Sequence, residues 1–145
     1  SQSLFLDYDI HMVYDRVGEE LAASSYSWKT LKNLGATISN GSDCPVELPD
    51  VLAGIQCAVT RTDRKGSVPA YLPAEAFTVQ EALDSFTSGG AYASFEEQGK
   101  GKIQPGMAAD FVILDADPFL AKSSDICRIS VTQTFLAGNC VYIKS

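Results

Sequence analysis

The side chain best placed to do chemistry is a single carboxylate. Asp43 stands in Asn40-Gly41-Ser42-Asp43-Cys44-Pro45, just after a short apolar run from Ala36 to Ser39. The run reads as a strand, Asn-Gly-Ser forces a turn, and Pro45 delays the next helix. In α/β proteins a carboxylate at such a strand end sits on the edge of the sheet where substrates are met. It can ligate a hard or borderline divalent cation, or take a proton from bound water. An aspartate in Gly-Ser-Asp also suits a turn or a helix cap, and spacing alone favours that reading.

Few other residues offer help. The one histidine, His11, lies between Tyr8 and Tyr14 and reads as structural or exposed rather than as a ligand. Asp7 and Asp9 form a polar break that could touch a substrate or make a turn. Arg61 and Arg64 could clamp an anion, but a solvated loop is the expectation. Ser42 and Cys44 have no partner base in sequence. The cysteines at 44, 57, 127 and 140 contain no Cys-x-x-Cys pair, and with one histidine they cannot build a self-contained zinc site. They are expected to be reduced thiols. No glycine-rich phosphate loop is present.

The elements that would hold these residues alternate in type. Ser3–Leu6 reads as a short strand, residues 10–17 as a helical turn or ordered loop, and Gly18 as an interruption. Glu19–Leu34 reads as one helix, with Leu21, Ser25, Trp28 and Leu31 on one face and Gly35 as its stop. Glu19 and Glu20 at its start and Lys29 and Lys32 near its end match the helix dipole. Strand, loop, helix and strand in that order favour parallel strands joined by a crossover helix. Asp50 can cap a helix through about Thr60. Residues 61–73 form a loop, and Thr78-Val79-Gln80-Glu81 is a capping box opening a helix to about Thr87. Gly89-Gly90 reads as a break, with further helical turns to Phe95. Trp28 and Phe95 fit helix core positions.

The style changes after Gly99-Lys100-Gly101, a flexible joint. Pro105-Gly106 signals a type II turn. Phe111–Leu114 is an apolar strand, and residues 129–136 and 140–143 flank Gly138-Asn139, a hairpin signal.

The totals narrow the class. The chain has 145 residues, enough for one domain with a sizeable core. It is 46% hydrophobic and 20% charged, with a mean hydropathy of +0.02, which is a globular composition. Its net charge of −7 and pI of about 4.5 disfavour nucleic acid and anionic membranes as partners. No apolar run approaches the roughly 20 residues of a membrane helix. No basic-then-apolar leader is visible, and the expected location is cytoplasmic. The chain opens without Met and runs straight into an apolar stretch, so it is expected to be a piece of a longer protein.

Longer stretches carry a resemblance. Gly101-Lys102-Ile103-Gln104-Pro105-Gly106-Met107-Ala108-Ala109-Asp110-Phe111-Val112-Ile113-Leu114-Asp115 resembles a signature near the end of amidohydrolase-superfamily enzymes. Thr134 to Tyr142 is similar to their closing hairpin, and Thr78 to Ala93 to their last barrel helix. Gly41-Ser42-Asp43-Cys44-Pro45-Val46 and Ser25 to Leu31 resemble the branch called amidohydrolase family 3. The motifs occur in the family's order over nearly the whole chain.

That resemblance implies a (β/α)8 barrel with a one- or two-metal centre, plus a small β-sandwich built from both chain ends. Asp43 would follow the eighth barrel strand, ligate the metal and handle the proton of the attacking water. The reaction implied is hydrolysis of C–N bonds in amides or cyclic amides. A barrel takes about 250 residues, and the family's His-x-His, central bridging ligand and later histidines have no counterpart here. Gln2-Ser3 stands where the branch often has Gln-Pro.

The expected fold is therefore α/β. Residues 1–98 would be the carboxyl-terminal portion of the barrel, its last βα units, and residues 99–145 would be sandwich strands. The cofactor expected in the full-length enzyme is a divalent metal, zinc, with none held tightly by this chain alone, which would be inactive by itself. The expected partner is a small-molecule substrate, with no nucleic acid and no membrane. Open strand edges would favour a homo-oligomer or a self-associating fragment. The alternative is a catalytically inert binding or structural module in which Asp43 is a turn residue.

Overall fold

A computed structural model describes residues 1–145. The chain begins with helical pieces. A 3-10 turn at Ser3–Phe5 leads into α1 (Leu6–Asp9), followed by α2 (Val13–Ala22) and α3 (Trp28–Asn33). Ser3–Leu6 is thus helical rather than a strand. Leu4 and Leu6 are buried in the core, so the apolar run reflects burial and not extended backbone. Gly18 is non-helical inside α2, at φ 76° and ψ 167°, and interrupts the helix as its residue type suggests.

The single helix expected over Glu19–Leu34 is two. Between Ala22 and Trp28 the hydroxyls of Ser24 and Ser25 donate to the carbonyl of Leu21, and that of Ser27 donates to Ser24. Such local bonds compete with helix continuation, and Tyr26 turns left-handed at φ 57°. Gly35 does end α3. Its φ is 97°, its amide donates to Lys32, and that of Ala36 donates to Leu31, which is a Schellman cap.

Helix α4 (Val51–Thr60) is the hub. Asp50 caps it by accepting from the Ala53 amide at 3.0 Å. Residues Ala53 to Ala58 are all buried, the pattern of a helix surrounded by protein. Ala53 and Cys57 join Leu4, Leu6, Val13, Ala22 and Tyr71 in one cluster. Ile55 and Ala58 join Phe77, Ala82 and Ile126 in another. Trp28 packs against both. The buried Gln56 is satisfied at both ends, Nε2 donating to Arg64 O at 3.1 Å and Oε1 accepting from the Cys127 amide at 3.0 Å.

Two further helices follow, α5 (Val79–Phe86) and α6 (Ser88–Ala93). The capping box at Thr78 and Glu81 is formed. Gly89-Gly90 lies within α6; the break falls at Thr87. Phe95 is 93% exposed rather than in the core. It occupies the left-handed position (φ 60°) of a second Schellman cap, with Phe95 N donating to Tyr92 O and Glu96 N to Ala91 O.

The last third carries a three-stranded antiparallel sheet, β1 (Phe111–Leu114), β2 (Val131–Leu136) and β3 (Asn139–Ile143), in that order. Phe111 faces Phe135 with rings stacked at 4.6 Å. Gly106 (φ 91°) and the bond from Met107 N to Gln104 O form the expected turn at Pro105-Gly106. A 3-10 stretch at Ser123–Arg128 buries Ile126 and returns the chain to α4. No helix is long and apolar enough to cross a membrane.

Candidate functional site

Asp43 sits at the end of an extended segment, Ala36–Gly41, that lies between the opening residues and α5. The segment joins no regular ladder, so the strand expected over Ala36–Ser39 is absent as such. One parallel step is formed instead. The amino group of Ser1 donates to Ser39 O at 2.6 Å, and Ser1 O accepts from the Gly41 amide at 3.0 Å. Bonds to the residues on either side of Asn40 are the mark of parallel pairing. The Asn40 amide donates to Ser85 O at 2.9 Å on the other side. Ser1 and Asn40 therefore lie side by side with their chains running in the same direction, before the opening chain turns into the 3-10 helix at Ser3.

Asp43 itself is exposed and left-handed, at φ 55°. Its carbonyl accepts from the Val46 amide at 2.9 Å, closing a turn across the cis Cys44–Pro45 bond. An open cleft of about 430 Å³ lies along the opposite, Gly35–Ile38, end of the segment, lined also by Lys32, Glu81, Asp84 and Lys100. Asp43 is not part of it.

The other charged candidates are committed to structural contacts. Asp7 accepts from the Arg64 amide at 2.7 Å and from Arg64 Nε at 2.6 Å. Asp9 accepts from the Tyr26 hydroxyl. Burial raises the Tyr26 pKa, and the Asp9 carboxylate raises it further. His11 is exposed and its Nε2 lies 3.1 Å from Asp63 Oδ2. Burial works against ionisation of Asp63, but the Ser67 hydroxyl and amide, with His11, hold its pKa below the ordinary value.

Arg61 corrects the expectation of a solvated loop. It is fully buried, at 0% exposure. Its guanidinium lies 5.3 Å from the Trp28 ring centre and 5.7 Å from that of Tyr71, within cation–π range. Nε donates to Tyr71 O at 2.9 Å, and both Nη groups are without protein partners. Burial lowers its pKa, opposed by Glu75. Loop composition concealed this residue; the nearby aromatics are its sequence signal only once Trp28 and Tyr71 are known to converge.

All four cysteines are free thiols. Cys57 is buried, which pushes its pKa up to about 12 and leaves it unreactive as a nucleophile. No three His, Cys, Asp or Glu side chains of the chain gather in a way that could hold a metal ion. The arrangement thus offers one accessible carboxylate on a turn, fixed from beneath by backbone and Asn40 contacts.

Comparison with known proteins gives this site a context. The sequence pattern of the amidohydrolase family matches residues 2–142. YtcJ of Bacillus subtilis, an amidohydrolase by name, is 36% identical over 145 residues, covering 99% of this chain and 27% of YtcJ. The N-substituted formamide deformylase of Arthrobacter pascens is 28% identical over 76% of this chain and 20% of its own length. A crystal structure of a metal-dependent hydrolase from Pyrococcus horikoshii superposes with a TM-score of 0.73 at 34% identity, covering 84% of this chain and 25% of that one. The chain spans about a quarter of the length of these relatives. With the family pattern running almost from end to end and 36% identity to YtcJ over 99% of this chain, the chain belongs to the amidohydrolase family.

Proposed function

We propose that these residues form the carboxyl-terminal part of a longer metal-dependent hydrolase that cleaves C–N bonds of amides or cyclic amides. The observation that carries the reading is the placement of Asp43: an exposed carboxylate just past two chain segments that pair in parallel. In a (β/α)8 barrel the loops at this edge of the strands hold the reacting groups. The single parallel step, at Ser1 and Asn40, supports placing the two segments as neighbouring barrel strands. Relatives described as metal-dependent hydrolases, and one named as a formamide deformylase, support the reaction class.

The side chains present do not fit a metal by themselves, because Asp43 has no second or third ligand beside it. In this reading the remaining donors, for zinc, lie outside these residues. Asp43 contributes a carboxylate that can accept a proton from water at the strand edge. Replacing it by Asn keeps the shape and removes that basicity. Asp43→Asn in the full-length hydrolase is expected to lower kcat/KM by on the order of 10³. Activity within a few-fold of the parent would sink the assignment.

A second reading is favoured by one observation. The left-handed φ of 55° and the Val46 bond make Asp43 a serviceable turn residue. If it is only that, Asp43→Asn leaves turnover intact and Asp43→Ala lowers stability alone.

A further inference from the structure

Asn40 uses every polar atom of its side chain beneath the Asp43 loop. Oδ1 accepts from the Ser3 amide at 3.0 Å and from the Gly41 amide at 3.1 Å. Nδ2 donates to Ser3 Oγ at 2.9 Å and lies 3.5 Å from Ser85 Oγ. The Ser3 hydroxyl in turn donates to the carbonyl of Gly54 in α4, at 2.8 Å. Ser3 and Ser85 are buried, at 0% and 3% exposure. One planar amide therefore joins the opening segment, α4, α5 and the first residue of the loop that presents Asp43.

We propose that Asn40 is the positioning residue for Asp43. Its side chain fixes the point at which the chain leaves the parallel step, and so the place where the carboxylate is offered three residues later. The proposal rests on the reading of Asp43 as the reactive carboxylate. The chemistry requires an amide here. A hydroxyl is too short to meet the Ser3 and Gly41 amides and Ser3 Oγ together. A carboxylate keeps both acceptor bonds but loses the donor to Ser3 Oγ. An apolar side chain leaves the buried Ser3 amide without an acceptor, and Gly41 with Ser1 O alone. A loop released in this way moves its carboxylate, and a displacement of about 1 Å costs up to roughly 10² in rate.

The test uses the full-length hydrolase with Asn40→Ala, Asp43→Asn and a control, Ile126→Val, which truncates the core far from the loop. Asn40→Ala is expected to lower kcat per folded molecule by about 10- to 100-fold, with KM within about 3-fold. Hydrogen exchange at the amides of residues 41–43, read by mass spectrometry, is expected to speed up by about 10-fold or more. Ile126→Val should lower the melting temperature and leave kcat unchanged. The proposal is overturned if Asn40→Ala keeps kcat within about 2-fold, if exchange at 41–43 is unchanged, or if Ile126→Val shows the same loss. An active Asp43→Asn instead overturns the reading of Asp43, whatever Asn40 does. If Asn40→Ala does not fold, Asn40→Ser, whose hydroxyl is too short for these partners, is measured by the same two readouts, with the same outcomes deciding.

Discussion

Gly89 approaches the carbonyl of Ile38 so closely that a β-carbon on it would collide with that oxygen and sit tightly against the carbonyl of Asp84. The contact seats α6 against the segment that leads to Asp43, and the oxygen in the way is backbone, which cannot rotate away. Gly89→Ala is expected to destabilise by about 2 kcal/mol or more. Its neighbour is the internal control. A Cβ on Gly90 meets nothing within 4 Å, so Gly90→Ala in the same helix should be neutral or stabilise by about 0.5–1 kcal/mol. Chemical denaturation of the two variants decides, and equal effects would show that the close approach does not matter.

Glu81 ties α3 to α5 and gives the fold a defined acid sensitivity. Lys29 Nζ lies 2.5 Å from one carboxylate oxygen, Lys32 Nζ 3.4 Å from the other, and the Thr78 amide donates at 2.8 Å. Burial alone would raise its pKa, but the Lys29, Thr78 and Lys32 contacts carry it down to about 2, from 4.5. A folded-state pKa below the unfolded one means that the unfolded chain takes up the proton more readily. The stabilisation is therefore complete above pH 4.5 and is lost as pH falls toward 2. Glu81→Gln keeps a side chain able to serve the capping box but not the ion pairs. It should be less stable than the parent by about 1–2 kcal/mol at pH 7, with the gap closing near pH 2. Melting curves at the two pH values check this, and a gap independent of pH would refute it.

What the sequence discloses here is local chemistry. Thr78 with Glu81, Asp50 before an apolar helix, Gly35 after one, and Pro105-Gly106 each satisfy backbone groups within a few residues, so residue type and spacing suffice to find them. The β1 strand is legible for the same reason, an apolar run between turn residues. The failures involve distant partners. Ser3–Leu6 looks like a strand because Leu4 and Leu6 are buried from several sides, and only the packed structure reveals the helical backbone. The serines at 24, 25 and 27 are harmless in a helical wheel, yet their hydroxyls divert the backbone. Arg61 reads as solvent-facing until Trp28 and Tyr71 are brought around it from 33 and 10 residues away. For the site, Asp43 is conspicuous in sequence, whereas Asn40 is concealed as an ordinary turn residue because its partners Ser3 and Ser85 are remote.

The β2–β3 turn is a case in which the sequence is close but off by one residue, and the offset exposes a removable strain. Gly138-Asn139 suggests the two central positions, yet Asn139 already pairs with Leu136 as the first residue of β3. The turn is Ala137-Gly138, with φ values of 49° and 78°. Two positive values in succession define the type I′ turn, which favours Asn-Gly. Alanine in the left-handed region costs about 1–2 kcal/mol, a penalty that asparagine largely escapes. The strained position is held by backbone bonds that do not depend on its side chain: Ala137 N donates to Asp110 Oδ1 at 2.7 Å, and Gly138 N donates to Ala109 O at 3.0 Å. Ala137→Asn keeps both and should stabilise the protein by about 1 kcal/mol. Gly138→Ala should destabilise it by a similar amount. Urea titration of both variants checks the pair: the midpoints should move in opposite directions with the slope unchanged. A loss of stability in Ala137→Asn would mean that the exposed turn is not the type I′ turn described.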